Sequence, residues 1–314
     1  MRAYVIKRLL ILIPTILILS MLAFSIIRLI PGSAVELMLE EHGYAENIAE
    51  LKHVLGLDKP IFTQYIDWLW RALHADLGVS LWSKLSIIQL CWAAFLVTFE
   101  LSVLALFFSI FFGIPLGVFS AVRQDTIVDY LARSVAIASL SAPTFWLGTL
   151  CVVFFSIYLK WTPPPILTSF FHDPLTNLSQ YIIPSVILGL VFAGSTMRMS
   201  RTMMLEVMRQ DYIRTAWAKG LREGIIVSRH AMRNALIPVI SVIGINFPKL
   251  LGGAVVVESI FNLPGIGRLA LNSLNNRDYP LVSGIVLFLG VIVVFVNLIV
   301  DISYSYLDPK IRYR

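Results

Sequence analysis

The chain has 314 residues, of which 58% are apolar and 14% charged, with a formal net charge of +6 and a mean hydropathy of +0.81. An apolar surplus of that size argues against a soluble enzyme and for one domain that uses lipid as its solvent. Two cysteines, Cys91 and Cys151, are too few for a disulfide scaffold or a Cys-rich metal site, and neither belongs to a C-x-x-C pair.

The charges fall between charge-free blocks. Residues 9–27, 101–122, 134–159, 181–197 and 281–300 carry no charge, and 235–257 is interrupted only by Pro248 and Lys249. At about 1.5 Å per residue each block can cross about 30 Å of hydrocarbon. The pattern predicts an all-α integral membrane protein with spans at about 9–30, 99–122, 132–159, 181–202, 235–258 and 281–303. The block 235–257 is expected to bend or partly unwind at its outer end. The first block runs on into Arg28-Leu29-Ile30-Pro31 with no cleavage site, so it reads as a helix rather than a signal peptide.

Six spans put both termini on one side. The termini and alternate loops hold 16 of the 25 basic residues and 7 of the 19 acidic ones, leaving 9 basic and 12 acidic opposite. The excess of Lys and Arg places the termini in the cytoplasm. Residues 31–96 then form an external helical subdomain. It opens on Pro31-Gly32, continues through Glu36, Glu40, Glu41, Glu46 and Glu50, and carries Gln64-Tyr65-Ile66-Asp67-Trp68-Leu69-Trp70 at helical spacing. Its apolar positions either pack on the bilayer face or dock an external partner. Pro163-Pro164-Pro165 marks the next outer segment as a stiff connector.

The cytoplasmic loop 198–233 has eight basic and three acidic residues. Within it, Asp211-Tyr212-Ile213-Arg214-Thr215-Ala216-Trp217-Ala218-Lys219-Gly220 reads as a short helix with Asp211 as N-cap and Gly220 as stop. Ile213, Ala216 and Trp217 share an apolar face. That face could lie on lipid headgroups or enter a groove on a cytoplasmic partner, and the small residues Thr215, Ala216 and Ala218 favour the groove.

No G-x-x-x-x-G-K-[ST] loop is present, nor any Gly-Lys pair, so any ATP must be bound by another chain. The five histidines lie outside the spanning blocks with no two at ligand spacing, which argues against haem or a membrane metal enzyme. Ionisable or polar groups near membrane depth are Glu100, Asn246, Lys249 and Glu258. Asn246, Lys249 and Glu258, beside Gly252-Gly253, are candidates for a translocation path, the alternative being an external or snorkelling position.

These residues resemble a known family, the membrane permease subunits (B-type) of the dipeptide/oligopeptide/nickel group of binding-protein-dependent ABC importers. The resemblance runs through Lys7-Arg8-Leu9-Leu10, Arg28-Leu29-Ile30-Pro31-Gly32, Asp76-Leu77-Gly78, Gly113-Ile114-Pro115-Leu116-Gly117 and Pro143-Thr144-Phe145-Trp146-Leu147-Gly148. It continues through Arg229-His230-Ala231-Met232-Arg233-Asn234, Pro264-Gly265-Ile266-Gly267-Arg268 and Asp308-Pro309-Lys310. It implies the type I importer permease fold, residues 211–220 as the coupling helix, and the bacterial or archaeal cytoplasmic membrane. Implied partners are a second homologous permease, one or two nucleotide-binding ATPase subunits that hold ATP and Mg, and an external substrate-binding protein, with no nucleic acid. Arg214-Thr215-Ala216 stands where Glu-Ala-Ala is general, and Pro238 lies 18 residues after Gly220, farther than usual; both narrow the branch. The function so implied is ATP-driven uptake of di- or oligopeptides, with no catalytic residue, metal or cofactor in this chain. The alternative cargo is nickel or a metal chelate. Alternatives of another class are a proton-coupled carrier, which calls for mid-helix carboxylates, and a membrane enzyme, which calls for clustered His, Asp or Cys.

Overall fold

Backbone amides surrounded by hydrocarbon have no water to bond, so an apolar chain must satisfy them within its own helices. The computed structural model describes residues 2–29 and 59–307, with side chains at 6–25 and 59–303, and among the described residues the regular structure is helical apart from one antiparallel bridge between Val79 and Ser86. The glutamate-bearing stretch 36–50 and the motif at 308–312 lie outside the described residues.

The helices are α1 (Arg2–Leu29), α2 (Ile61–Leu73), α3 (Ile87–Val122), α4 (Ile127–Ser141), α5 (Thr144–Leu159), α6 (Pro174–Met208), α7 (Asp211–Ala218), α8 (Glu223–Gly253), α9 (Val255–Ile260), α10 (Ile266–Asn275) and α11 (Tyr279–Leu307). Ile6–Ser25 of α1, all of α3, α6 and α8, and Tyr279–Ser303 of α11 are long and apolar enough to cross a membrane. With 36 and 35 residues, α3 and α6 are longer than the about 20 residues that a bilayer core requires.

The structure adds detail to two expectations. The block 134–159 is two helices, α4 and α5, bent by 99° at Ala142-Pro143. Proline disfavours helical backbone in the residue before it, and Ala142 is extended (φ −76°, ψ 125°). The block 235–257 stays helical through Pro248 and is interrupted near its C-terminal end. α8 runs through that proline to Gly253, and the break comes at Ala254, before α9.

The chain divides into two compact units. The first combines residues 1–96 with 268–298. In it α2 meets α1 through Tyr65 and Trp68, whose rings lie 5.3 and 5.7 Å from that of Phe24, and the Tyr65 hydroxyl is 2.8 Å from the Ser20 Oγ. The opposite positions Ile61, Phe62, Ile66, Trp70 and Leu73 are exposed. Ser283 on α11 donates to the Ala23 carbonyl at 2.8 Å. The buried Asp278 carboxylate ties the loop after α2 to the start of α11, accepting from the Ser80 hydroxyl (2.5 Å) and the Leu81 amide (3.1 Å) through one oxygen and from the Leu281 amide (3.3 Å) through the other.

The second unit, residues 97–267 with 299–314, is built on α6, against which α4 and α8 pack. Glycine permits the close approach of α3 to α6. A Cβ at Gly117 would fall 2.5 Å from the Ser200 Cβ and 2.6 Å from the Met197 carbonyl oxygen, and one at Gly189 would fall 2.5 Å from the Ala105 carbonyl oxygen. Gly113 and Gly117, four residues apart on α3, thus form a small-xxx-small face, which is how helices gain contact in lipid where burial of apolar surface gives no advantage. A core of Leu101, Tyr181, Leu188, Leu250, Val257, Phe261 and their neighbours fills one region of the unit. A second core, around Met204 and Ile213, seats α7.

Candidate functional site

α7 is a helix of eight residues, too short to be stable alone, so its caps and its seat decide its geometry. Its N-cap is Gln210, which makes no side-chain cap bond, and Asp211 is the first helical residue rather than the cap. There the acid still favours the helix by facing the positive end of its dipole. The Asp211 carboxylate also meets the Arg214 guanidinium at 3.3 Å, an exposed pair that adds little. At the other end Gly220 has φ +74°, its amide donates to the Trp217 carbonyl (2.9 Å), and the Leu221 amide reaches back to the Ala216 carbonyl (3.4 Å). This is a Schellman closure, which requires the left-handed residue that glycine supplies.

The buried face of α7 consists of Ile213 and Ala216, packed with Ala121 of α3, Met204 of α6 and Ile226, Ala231 and Ala235 of α8. Their apolar surface is therefore covered by the chain's own helices and does not enter a partner's groove. Trp217, expected on that face, points away and is 45% exposed, as is Tyr212 at 44%. The outward surface is Asp211, Tyr212, Arg214, Thr215, Trp217, Ala218, Lys219 and Gly220, continued by Arg222 and flanked by Arg209. Two aromatic rings amid cations, on a helix fixed from behind, make a surface suited to a groove with apolar pockets and an acidic rim.

α7 is also tied to α8. The Asn234 side-chain amide donates to the Tyr212 hydroxyl at 2.8 Å. Between them, Ile226–Ala231 is a π-helical turn within α8. Such turns make a poorer ladder than an α-helix and recur at functional sites.

Behind the seat lies a buried charge cluster. The Asp129 carboxylate of α4 is fully buried. Arg201 of α6 grips it with two bonds, Nε to Oδ1 at 2.8 Å and NH2 to Oδ2 at 2.7 Å. The Ser120 hydroxyl of α3 donates to Oδ1 and accepts from the Arg201 Nε at 3.0 Å, and the Asp125 amide donates to Oδ2 at 3.1 Å.

The path candidates are not brought to one surface. Asn246 is buried and donates to the Ser195 hydroxyl of α6 at 3.3 Å, and Lys249 is exposed. Glu258 is enclosed by the chain itself. It is fully buried, accepting from the Thr98 hydroxyl at 2.5 Å, while Thr98 accepts the Ile266 amide at 2.8 Å. Any side chain at Gly265 would collide with that carboxylate, so the run Pro264-Gly265-Ile266-Gly267 folds around Glu258 as its cradle.

Comparison with known proteins gives this geometry its context. The profile described as "Binding-protein-dependent transport system inner membrane component" matches residues 113–313, and its N-terminal companion profile matches residues 1–80. The chain belongs to this family. Over its full length the transport component is 37% identical to the dipeptide transport system permease protein DppB of Escherichia coli strain K12 and 37% identical to that of Alkalihalophilus pseudofirmus. It is 41% identical to a putative peptide transport system permease protein of Brucella abortus, and all three alignments span the whole of both chains. Its fold resembles a chain of the MetNI methionine ABC transporter in inward-facing form, with a TM-score of 0.57 at 18% identity, over 70% of this chain and 97% of that one. The component is thus a multi-pass inner-membrane protein with an ABC importer permease fold.

Sequence reasoning missed the Asp129–Arg201 pair in this permease. Both residues stand among many charges at helix ends, and 72 residues separate them, so no local pattern joins them. The one available signal was Gly117 with Gly113, which brings α3 against α6 at the level of Ser200.

Proposed function

We propose that the chain is the permease subunit of an ATP-driven ABC importer for di- or oligopeptides, working beside a second, related permease and below an external binding protein that delivers the cargo. The observation that carries the cargo class is full-length identity of 37–41% to permeases of dipeptide and peptide transport systems. Both termini and α7 face the cytoplasm in this reading, in keeping with the basic loop 198–233. ATP and Mg are held by separate ATPase subunits, since the chain has no phosphate-binding loop.

The exposed face of α7, led by Tyr212 and Trp217, enters a groove on an ATPase subunit. Ile213 and Ala216, held by Met204 and the helices around it, convert movement of that groove into movement of α6 and α8. Support comes from the division of α7 into a face locked to its own chain and a face left outward. Affinity purification of the complex from native membranes in mild detergent tests the reading. The unmodified chain is expected to bring down a second permease and ATPase subunits, and Tyr212→Ser with Trp217→Ser is expected to lose the ATPase while keeping the permease. Equal ATPase recovery from both would refute docking through α7.

A further inference from the structure

We infer that Arg201 and Asp129 are positioning residues for transport, a latch that makes the ends of α3, α4 and α6 a single body behind α7. The inference deepens the reading of α7 as the docking element and rests on it.

The seat of α7 draws side chains from α3, α6 and α8, and none from α4. Movement passed through that seat reaches α4 through the short turn 123–126 from α3 and through α4's hold on α6. Most of that hold is smooth. It consists of Ala132 and Ala136 against Met197, with Gly194 set against the Ala136 carbonyl and Ser139. Small, flat faces of this kind let packed helices slide, the usual form of shear motion.

The exception is Asp129. Its carboxylate is gripped by both nitrogens of the Arg201 fork, and a planar two-bond contact fixes angle as well as distance. Ser120 closes the ring from α3, one residue before Ala121 of the seat, and Arg201 stands three residues before Met204 of the same seat. The latch therefore joins two of the three seat helices, α3 and α6, to α4, which contributes no side chain to that apolar seat.

Stability alone is a weak reason for such a pair. Burying two charges costs much of what their attraction returns, and well-packed apolar replacements of both partners are commonly neutral. What an apolar replacement lacks is the fixed geometry.

The test uses the complete importer, with partner subunits and binding protein, in proteoliposomes, and reads peptide transported per ATP hydrolysed. Asp129→Leu with Arg201→Met is expected to assemble and hydrolyse ATP while transport per ATP falls by about tenfold. Arg201→Lys, which keeps the charge and loses the fork, is expected to lower the same ratio by about threefold, and it decides the matter if the double variant fails to assemble. An unchanged ratio in an assembled variant would overturn the latch while leaving docking through α7 intact. Failure of the docking reading appears elsewhere, as undiminished ATPase recovery from the Tyr212→Ser, Trp217→Ser chain, and it would take the latch with it.

Discussion

A methyl group at Gly117 has no room: the Ser200 Cβ and the Met197 carbonyl oxygen stand 2.5 and 2.6 Å from where it would be. Gly117→Leu therefore forces α3 away from α6 and is expected to lower stability by about 1–3 kcal/mol, read as earlier thermal unfolding of the detergent-solubilised chain. Glu258 makes a similar case from the polar side. Glu258→Ala removes a buried carboxylate that accepts from the Thr98 hydroxyl and is expected to cost about 1–3 kcal/mol by the same assay. Sequence alone marked Glu258 as notable because a carboxylate near membrane depth is rare, yet it could not assign the role. The partner Thr98 is 160 residues away, and the glycines that make room for the carboxylate look like any turn.

Among the elements, α7 is the most legible, because a short amphipathic run ending in Lys219-Gly220 carries its own stop signal. Gly220→Ala must hold φ near +74° with a Cβ and is expected to destabilise the turn by about 1 kcal/mol, whereas Gly220→Asn recovers part of that loss; hydrogen exchange of the Leu221 amide checks both. The direction of the apolar face was not legible. A groove on a partner and the flank of α6 are equally apolar, so periodicity names a face without naming what covers it. That difference has a consequence for mutagenesis. Ile213→Asp buries a carboxylate among Met204, Ile226 and Ala235, so it is expected to reduce the yield of folded chain, while Trp217→Ser at the exposed face leaves folding unchanged. The bend between α4 and α5 has a local cause in Pro143, but Pro115, Pro184, Pro238 and Pro248 all lie inside unbroken helices. Proline in a membrane helix is thus an ambiguous stop, because neighbouring groups can satisfy the carbonyl it frees.

For the molecule as a whole, the all-helical membrane architecture followed from charge-free blocks, since lipid leaves a chain few alternatives. Packing was hidden for the complementary reason: with hydrocarbon on every side, the contacts that matter are small residues such as Gly113, Gly117, Gly189 and Gly194, which no hydropathy pattern singles out. The permease reading unites the two scales below it, with Tyr212 and Trp217 facing outward, Ile213 and Ala216 locked to α6 and α8, and Asp129 with Arg201 holding α4 to the same body. Its central claim is ATP-driven peptide uptake transmitted through α7. The most direct measurement is accumulation of a labelled dipeptide by proteoliposomes holding this chain, its second permease and its ATPase subunits, with binding protein on one side and ATP on the other. Uptake is expected to require ATP and to be abolished by Tyr212→Ser with Trp217→Ser; uptake that proceeds without ATP, or that survives this substitution, would contradict the account.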